Sequence, residues 1–272
     1  MIGIRRKLLL NAVQENLIKE VGDYILWFDG KDGKENKDGK WYPKSPHASV
    51  SASALTICGD STFNDDGGLI VIANNETNDK IGLAGASDYP NTKSNVTQFD
   101  GPMHKLQSLG YSFDKNQGFT IEIVSDVDEY QGERAECFYF GITYISRAVE
   151  RGGLQFVPGV NNLRYYYNNG SKWTAYYFNT NVPNGKSVIT LKLDTSSVLS
   201  LYVNGSLCGA VTVPSSFNLN CDEQQPFSIG SYDASKKNAV KGLHYSFKLY
   251  PRPLSDDEIN QNFQFYKKYY SL

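Results

Sequence analysis

KSVITLKLDTSSVLSLYVNG, residues 186–205, reads as two strands back to back, KSVITLKLD (186–194) and SVLSLYVNG (197–205). The same pattern continues on both sides. SLCGAVTV (206–213), PFSIGSY (226–232) and GLHYSFKLY (242–250) follow it, and GGLQFVP, NNLRYYYNNG and SKWTAYYFN (152–179) precede it. Asn169-Gly170 is a strong two-residue hairpin signal, because both residues tolerate the positive φ of a type I′ turn. Further upstream, GFTIEIVSDV (118–127) alternates, with Phe119, Ile121 and Ile123 on one face and Glu122, Val124 and Asp126 on the other. CFYFGITYI (137–145), GGLIVIAN (67–74) and DYILWFDG (23–30) add further strands, and ASVSASALTICG (48–59) alternates weakly. Turn signals every eight to twelve residues predict an all-β sandwich or barrel.

Composition agrees. The 272 residues include 19 Tyr, 14 Phe and 24 Gly, residues that suit half-buried pleated surfaces and the turns between them. A net charge of −2 carries no basic excess for nucleic acid. No apolar run approaches the roughly 18 residues that span a bilayer. The start, MIGIRRKLLLNAVQENLIKEV, is too polar after Leu10 for a signal peptide. Ile4, Leu8, Val13, Leu17 and Val21 predict an amphipathic helix instead, so residues 1–22 are expected to be a helical attachment or oligomerisation segment, ahead of a β-sandwich domain over 23–272.

The chain closes on LYPRPLSDDEINQNFQFYKKYY (249–270). Pro251 and Pro253 end the last strand. Ser255 and Glu258 form a capping box, and Leu254 and Ile259 occupy the staple positions. Asp256 and Asp257 suit the helix start, and Lys267 and Lys268 its end. Ile259, Phe263 and Tyr266 make one apolar stripe, which predicts a helix that docks on the sandwich as a clasp.

Other features carry less. Cys58, Cys137, Cys208 and Cys221 form no CxxC pair; Cys208 and Cys221 could be joined, but free thiols are the favoured expectation. Asp29, Asp32, Asn36 and Asp38 depart from EF-hand spacing and are interleaved with lysines, so residues 29–45 read as a solvated loop. Sequons at Asn75, Asn95, Asn169 and Asn204 are given no role.

GFTIEIV (118–124), ITLKLDTSSVLSLYVNG (189–205) and FSIGSYDASKKNAVKGLHYSFKLYPRPLSDDEINQNF (227–263), in that order, resemble the laminin-G-like branch of the concanavalin A-like lectin/glucanase superfamily. The resemblance implies a jelly-roll sandwich of two antiparallel sheets with a short closing helix. It also admits both glycan-binding modules and glycosidases. The retaining glucanases carry Glu-x-Asp-x-(x)-Glu on one strand. Here EIVSDVDEY (122–130) offers Glu122, Asp126 and Asp128 without that motif. His47, His104 and His244 form no paired-ligand motif. Some members hold calcium, but no calcium motif can be matched here, and no cofactor is expected.

The expected function is therefore non-catalytic carbohydrate recognition. A sugar site needs an aromatic ring for the pyranose face and polar groups for the hydroxyls. NNLRYYYNNGSKWTAYYFNT (161–180) is the densest supply. One face of each strand must be core, and the Arg-bearing face is expected outside. The candidates are Arg164, Tyr166, Thr174 and Tyr176, with Trp173 able to join either face. The LWFDG start and PLSDDEI ending resemble modules of phage fibres and virion appendages. That resemblance implies a protein made in the bacterial cytoplasm and displayed on the virion. Its partners would be a surface glycan and other virion proteins, and it would form a homo-oligomer, a trimer among the options. A structural protein without ligand and a glycosidase are the alternatives.

Overall fold

The computed structural model describes residues 18–57, 62–71, 84–85, 101–130, 135–140, 152–157, 162–168, 172–178, 180, 185–219, 227–230 and 240–272. Fifteen strands are seen among the described residues: β1 Leu26–Asp29, β2 Lys40–Trp41, β3 Leu55–Ile57, β4 Leu69–Val71, β5 Ala84–Gly85, β6 Phe119–Tyr130, β7 Ala135–Phe140, β8 Gly152–Val157, β9 Asn162–Asn168, β10 Trp173–Phe178, β11 Lys186–Leu193, β12 Val198–Val203, β13 Ser206–Thr212, β14 Phe227–Ile229 and β15 Val240–Tyr250. Helices α1 Gly30–Gly33, α2 Ala48–Ser51 and α3 Pro102–Ser108 lie in the first half, and α4 Asp256–Tyr269 closes the chain.

The strands make two antiparallel sheets. Sheet A runs β1-β15-β6-β11-β12-β13, with β4 also paired to β15, and sheet B runs β10-β9-β8-β7-β14-β5-β3-β2. This is the all-β sandwich that the turn spacing predicts. The core lies between the sheets. Phe28, Phe119, Ile121, Ile123, Leu191, Leu201 and Phe247 from sheet A meet Trp41, Leu163, Tyr165, Tyr167 and Phe227 from sheet B. The hairpin at 186–213 forms as read. Asn204 and Gly205, at φ 50° and 76°, make the tight turn from β12 to β13, and Asn204 Oδ1 accepts from the Val188 amide at 2.9 Å. The Asn169-Gly170 turn lies outside the described residues.

The closing helix docks on the outward face of sheet A. Its capping box is complete: the Glu258 amide donates to Ser255 Oγ at 3.2 Å, and the Ser255 amide to Glu258 Oε2 at 2.8 Å. Leu254 and Ile259 share one apolar cluster with Tyr202 and Tyr250. The buried stripe is Ile259, Asn262 and Tyr266, with Phe263 only partly covered. A polar residue therefore sits at the centre of a face expected to be apolar. Lys31 Nζ and Lys186 Nζ donate to the carbonyls of Tyr269 and Tyr270, at 2.6 and 3.0 Å, and so satisfy the helix end.

Residues 1–17 of the expected N-terminal helix lie outside the described residues. Residues 18–22 are not helical. They run over α4 as a strap. The Val21 amide donates to Asn262 Oδ1 at 2.7 Å, Tyr250 Oη donates to the Val21 carbonyl at 3.2 Å, and Gln261 Nε2 donates to the Lys19 carbonyl at 2.9 Å. The strap's hydrogen bonds go to α4 and β15 side chains.

Candidate functional site

The outward face of sheet B at β9 and β10 is the first candidate. Leu163, Tyr165 and Tyr167 point inward and are buried, with Tyr165 and Tyr167 at 5.4 and 4.6 Å from the Phe217 ring. The intervening residues, Arg164 and Tyr166, therefore face out, as expected for the Arg-bearing set.

The register decides β10. Trp173 pairs with Asn168, Ala175 with Tyr166 and Tyr177 with Arg164. Residues directly opposite in an antiparallel pair share a face. Trp173 and Tyr177 thus join Arg164 and Tyr166 outside. Thr174 and Tyr176 pair with Tyr167 and Tyr165 and point inward. This corrects the expected face of both residues. Tyr176 meets Phe217 edge-on at 6.1 Å, and its burial there pushes its hydroxyl pKa up. Strand alternation alone does not specify the parity of β10; the register with β9 does.

The outward four form one surface. Ala175, opposite Tyr166, is small enough for the neighbouring indole to swing over. The Trp173 and Tyr166 rings stack at 4.5 Å with 7° between planes. The Arg164 guanidinium lies 5.1 Å from the Tyr166 ring and 5.8 Å from the Tyr177 ring, and Nη1 donates to Tyr177 Oη at 3.2 Å. Tyr177 is 57 % exposed. Flat rings flanked by a guanidinium and phenol hydroxyls can take the apolar face of a pyranose while hydrogen-bonding its rim.

The outward face of sheet A is closed. One row crosses it: Tyr202, Thr190, Glu122, Lys248 and Trp27, paired strand to strand. α4 covers that row. Glu122 Oε2 accepts from Asn262 Nδ2 and Tyr266 Oη, both at 2.9 Å, while Oε1 has no hydrogen-bond partner among the described residues. Lys248 Nζ lies 3.8 Å from the Trp27 ring centroid and 5.1, 5.3 and 5.1 Å from those of Tyr24, Phe265 and Tyr266. Burial pushes Glu122 up to about 7, opposed by the nearby Lys248. Burial likewise lowers Lys248 to about 8, opposed by Glu122. Glu122 is thus walled off from any substrate. Asp126 on the same strand is partly exposed, and the Asp128 side chain lies outside the described residues.

Asp29 departs from the solvated-loop reading. It is buried. It accepts from Lys44 Nζ, Tyr269 Oη and Tyr270 Oη, each at 2.8 Å, and from the Lys31 amide at 3.1 Å. Lys44 also pairs with Asp32 at 2.9 Å, so lysine fills the role a cation would have taken. Among the described residues no group of three or more His, Cys, Asp or Glu is placed to hold a metal. The described thiol, Cys208, is free.

A second concavity, about 720 Å³, is lined by Tyr24, Lys44, Ser45 and Tyr111. Its polar groups are committed elsewhere. Lys44 is held by Asp29 and Asp32, Tyr111 Oη lies 2.8 Å from His47 Nε2, and Ser45 Oγ donates to the Ile25 carbonyl at 2.7 Å.

The Laminin_G_3 family, of the concanavalin A-like lectin/glucanases superfamily, matches residues 100–260. The chain belongs to this family. No curated protein matches it in sequence. Among solved structures it is similar to the binding domain of botulinum neurotoxin DC in complex with rat synaptotagmin II: TM-score 0.58, 13 % identity, 89 % of this chain and 52 % of that one. It is similar to the same domain in complex with SialylT, with TM-score 0.57 and 12 % identity over 89 % of this chain and 51 % of that one. A third structure, described by the dependence of botulinum neurotoxin type C cell entry on two ganglioside molecules, gives TM-score 0.55 and 11 % identity over 89 % and 51 %. The chain spans about half the length of these relatives. At such identities the likeness establishes the fold.

Proposed function

We propose that this chain is a non-catalytic carbohydrate-recognition domain whose binding surface is the outward face of β9 and β10. The observation that carries the reading is the stacked Tyr166–Trp173 pair beside Arg164 and Tyr177, open on a rigid sheet. Membership of a lectin/glucanase superfamily supports it, as do relatives described with SialylT and gangliosides. Glu122, the acid nearest to a glucanase motif, is buried under α4 and hydrogen-bonded there, which favours binding over hydrolysis.

The test is a glycan array probed with the wild-type chain and with Trp173→Ala. The reading expects a defined set of glycans to be bound and lost in the variant. An empty array with folded wild-type protein would overturn it. Turnover of a polysaccharide panel would replace it with the glycosidase alternative.

The setting we propose is a phage fibre or virion appendage, with the chain displayed for host attachment. This part rests on the sequence resemblance of LWFDG and PLSDDEI to such modules. Residues 1–17 would supply the attachment or oligomerising element. Immunogold labelling of particles, and incorporation of a chain lacking residues 1–17, test it. Unlabelled particles would end the virion reading, and normal incorporation of the shortened chain would end the role of that segment. A ligand-free structural protein is the second reading, favoured by the exposure of Tyr177 and Leu207, at 57 % and 56 %.

A further inference from the structure

We propose that β10 is a docking edge for a second copy of this chain, paired antiparallel about a two-fold axis at Ala175. An exposed strand edge presents unpaired backbone groups, and proteins usually blunt such edges by shortness, charge, proline, bulges or cover. The other edges here are blunted. β1 is bridged by Lys44, with the Trp27 and Lys44 amides and carbonyls exchanged at 2.9 and 2.8 Å. β2 has two residues. β4 has three, with Leu69 bridged to Phe63. β13 carries a register shift beside Leu201 and Tyr202.

β10 is less protected: its Phe178 end lies beside Gly209 of β13, and among the described residues the rest of the strand carries none of these devices. Its six residues, WTAYYF, hold no charge and no proline, and its register with β9 is unbroken. Its backbone groups turned away from β9 have no partner among the described residues, apart from the Phe178 carbonyl, which accepts from Thr180.

The strand is also self-complementary. With Ala175 on the axis, Trp173 of one copy lies opposite Tyr177 of the other, and Thr174 lies opposite Tyr176. Aromatic pairs directly across an antiparallel ladder are favourable, and the small residue at the axis lets the strands close. The same patch meets itself, as a two-fold interface requires. Because the proposed glycan surface is on the same face, the joined sheets would form one aromatic platform. Tyr166 and Trp173 of one copy would continue into Tyr177 and Arg164 of the other. This last step rests on the carbohydrate reading, whereas the dimer does not.

Sedimentation velocity on the full chain tests the interface, from about 1 µM to about 200 µM, the range expected for a modest contact area. Wild type should pass from monomer to dimer. Ala175→Lys and Ala175→Glu, each with like charges facing across the axis, should stay monomeric. An equimolar mixture of the two should dimerise again, which also shows that both variants are folded. Monomeric wild type throughout, a trimer, or an oligomer indifferent to both variants would overturn the interface. With a glycan identified by the array, affinity should rise at least about threefold on dimerisation of the mixture. Equal affinity in monomer and dimer would remove the shared platform and leave the dimer. Failure of the dimer to bind any glycan would remove the carbohydrate reading and again leave the dimer.

Discussion

The outward faces of the two sheets are built from similar residues and have opposite fates. On sheet A, Glu122, Lys248, Trp27 and Tyr202 form a row that α4 and the 18–24 strap cover completely or nearly so. On sheet B, Arg164, Tyr166, Trp173 and Tyr177 remain at the surface. Aromatic and charged residues on a strand do not reveal by themselves whether they are a binding surface or a second core. What decides is whether another element lands on them. The clasp turns one face into a structural layer and leaves the other exposed, as the proposed recognition surface.

The contrast predicts a graded set of effects. Tyr266 is fully buried, touches Lys248 and donates to Glu122. Tyr266→Ala should cost about 3–5 kcal/mol, the range for truncating a buried aromatic side chain, read by urea unfolding. A loss below about 1 kcal/mol would mean that the clasp is not a core layer.

Next comes pH. Glu122 titrates higher in the folded chain than in the unfolded one, so the folded chain binds more protons between about pH 4.5 and about 7. The pair's contribution to stability should fall as pH rises through that window. Lys248 is lowered to about 8, so the unfolded chain binds more protons above that pH, and the contribution should recover towards 10.5. The difference between wild type and Glu122→Gln isolates the acidic limb. A difference that is flat from pH 4.5 to 7 would contradict the burial of an ionisable Glu122.

Ser255→Ala should cost about 1 kcal/mol, the usual loss on removing an N-cap side chain, seen as a lower urea midpoint with an unchanged slope. The smallest stability effect belongs to the open face. Trp173→Ala should change unfolding free energy by no more than about 0.5 kcal/mol. A larger change would show that the Tyr166–Trp173 stack is a structural element.

Much of the architecture could be read from local signals. The alternation of Phe119, Ile121 and Ile123 and the Ser255–Glu258 box each follow from a few adjacent residues, and each stands as read. What could not be read depends on partners far along the chain. The cage around Lys248 joins β1, β15 and α4 with Tyr24, and its carboxylate comes from β6. The burial of Asp29 depends on Tyr269 and Tyr270, some 240 residues later. Of the proposed surface, only the outward facing of the β9 residues was readable. On β10 a one-residue difference in register exchanges Thr174 and Tyr176 for Trp173 and Tyr177.

The central claim is that the open face binds and the closed face holds the fold. The most direct test measures, on the same samples, glycan affinity by calorimetry and unfolding free energy by urea, for wild type and for Tyr166→Ala/Trp173→Ala. The account predicts that affinity falls at least about tenfold, about 1.4 kcal/mol, while unfolding free energy stays within about 1 kcal/mol of wild type. Unchanged affinity in the folded double variant would contradict it.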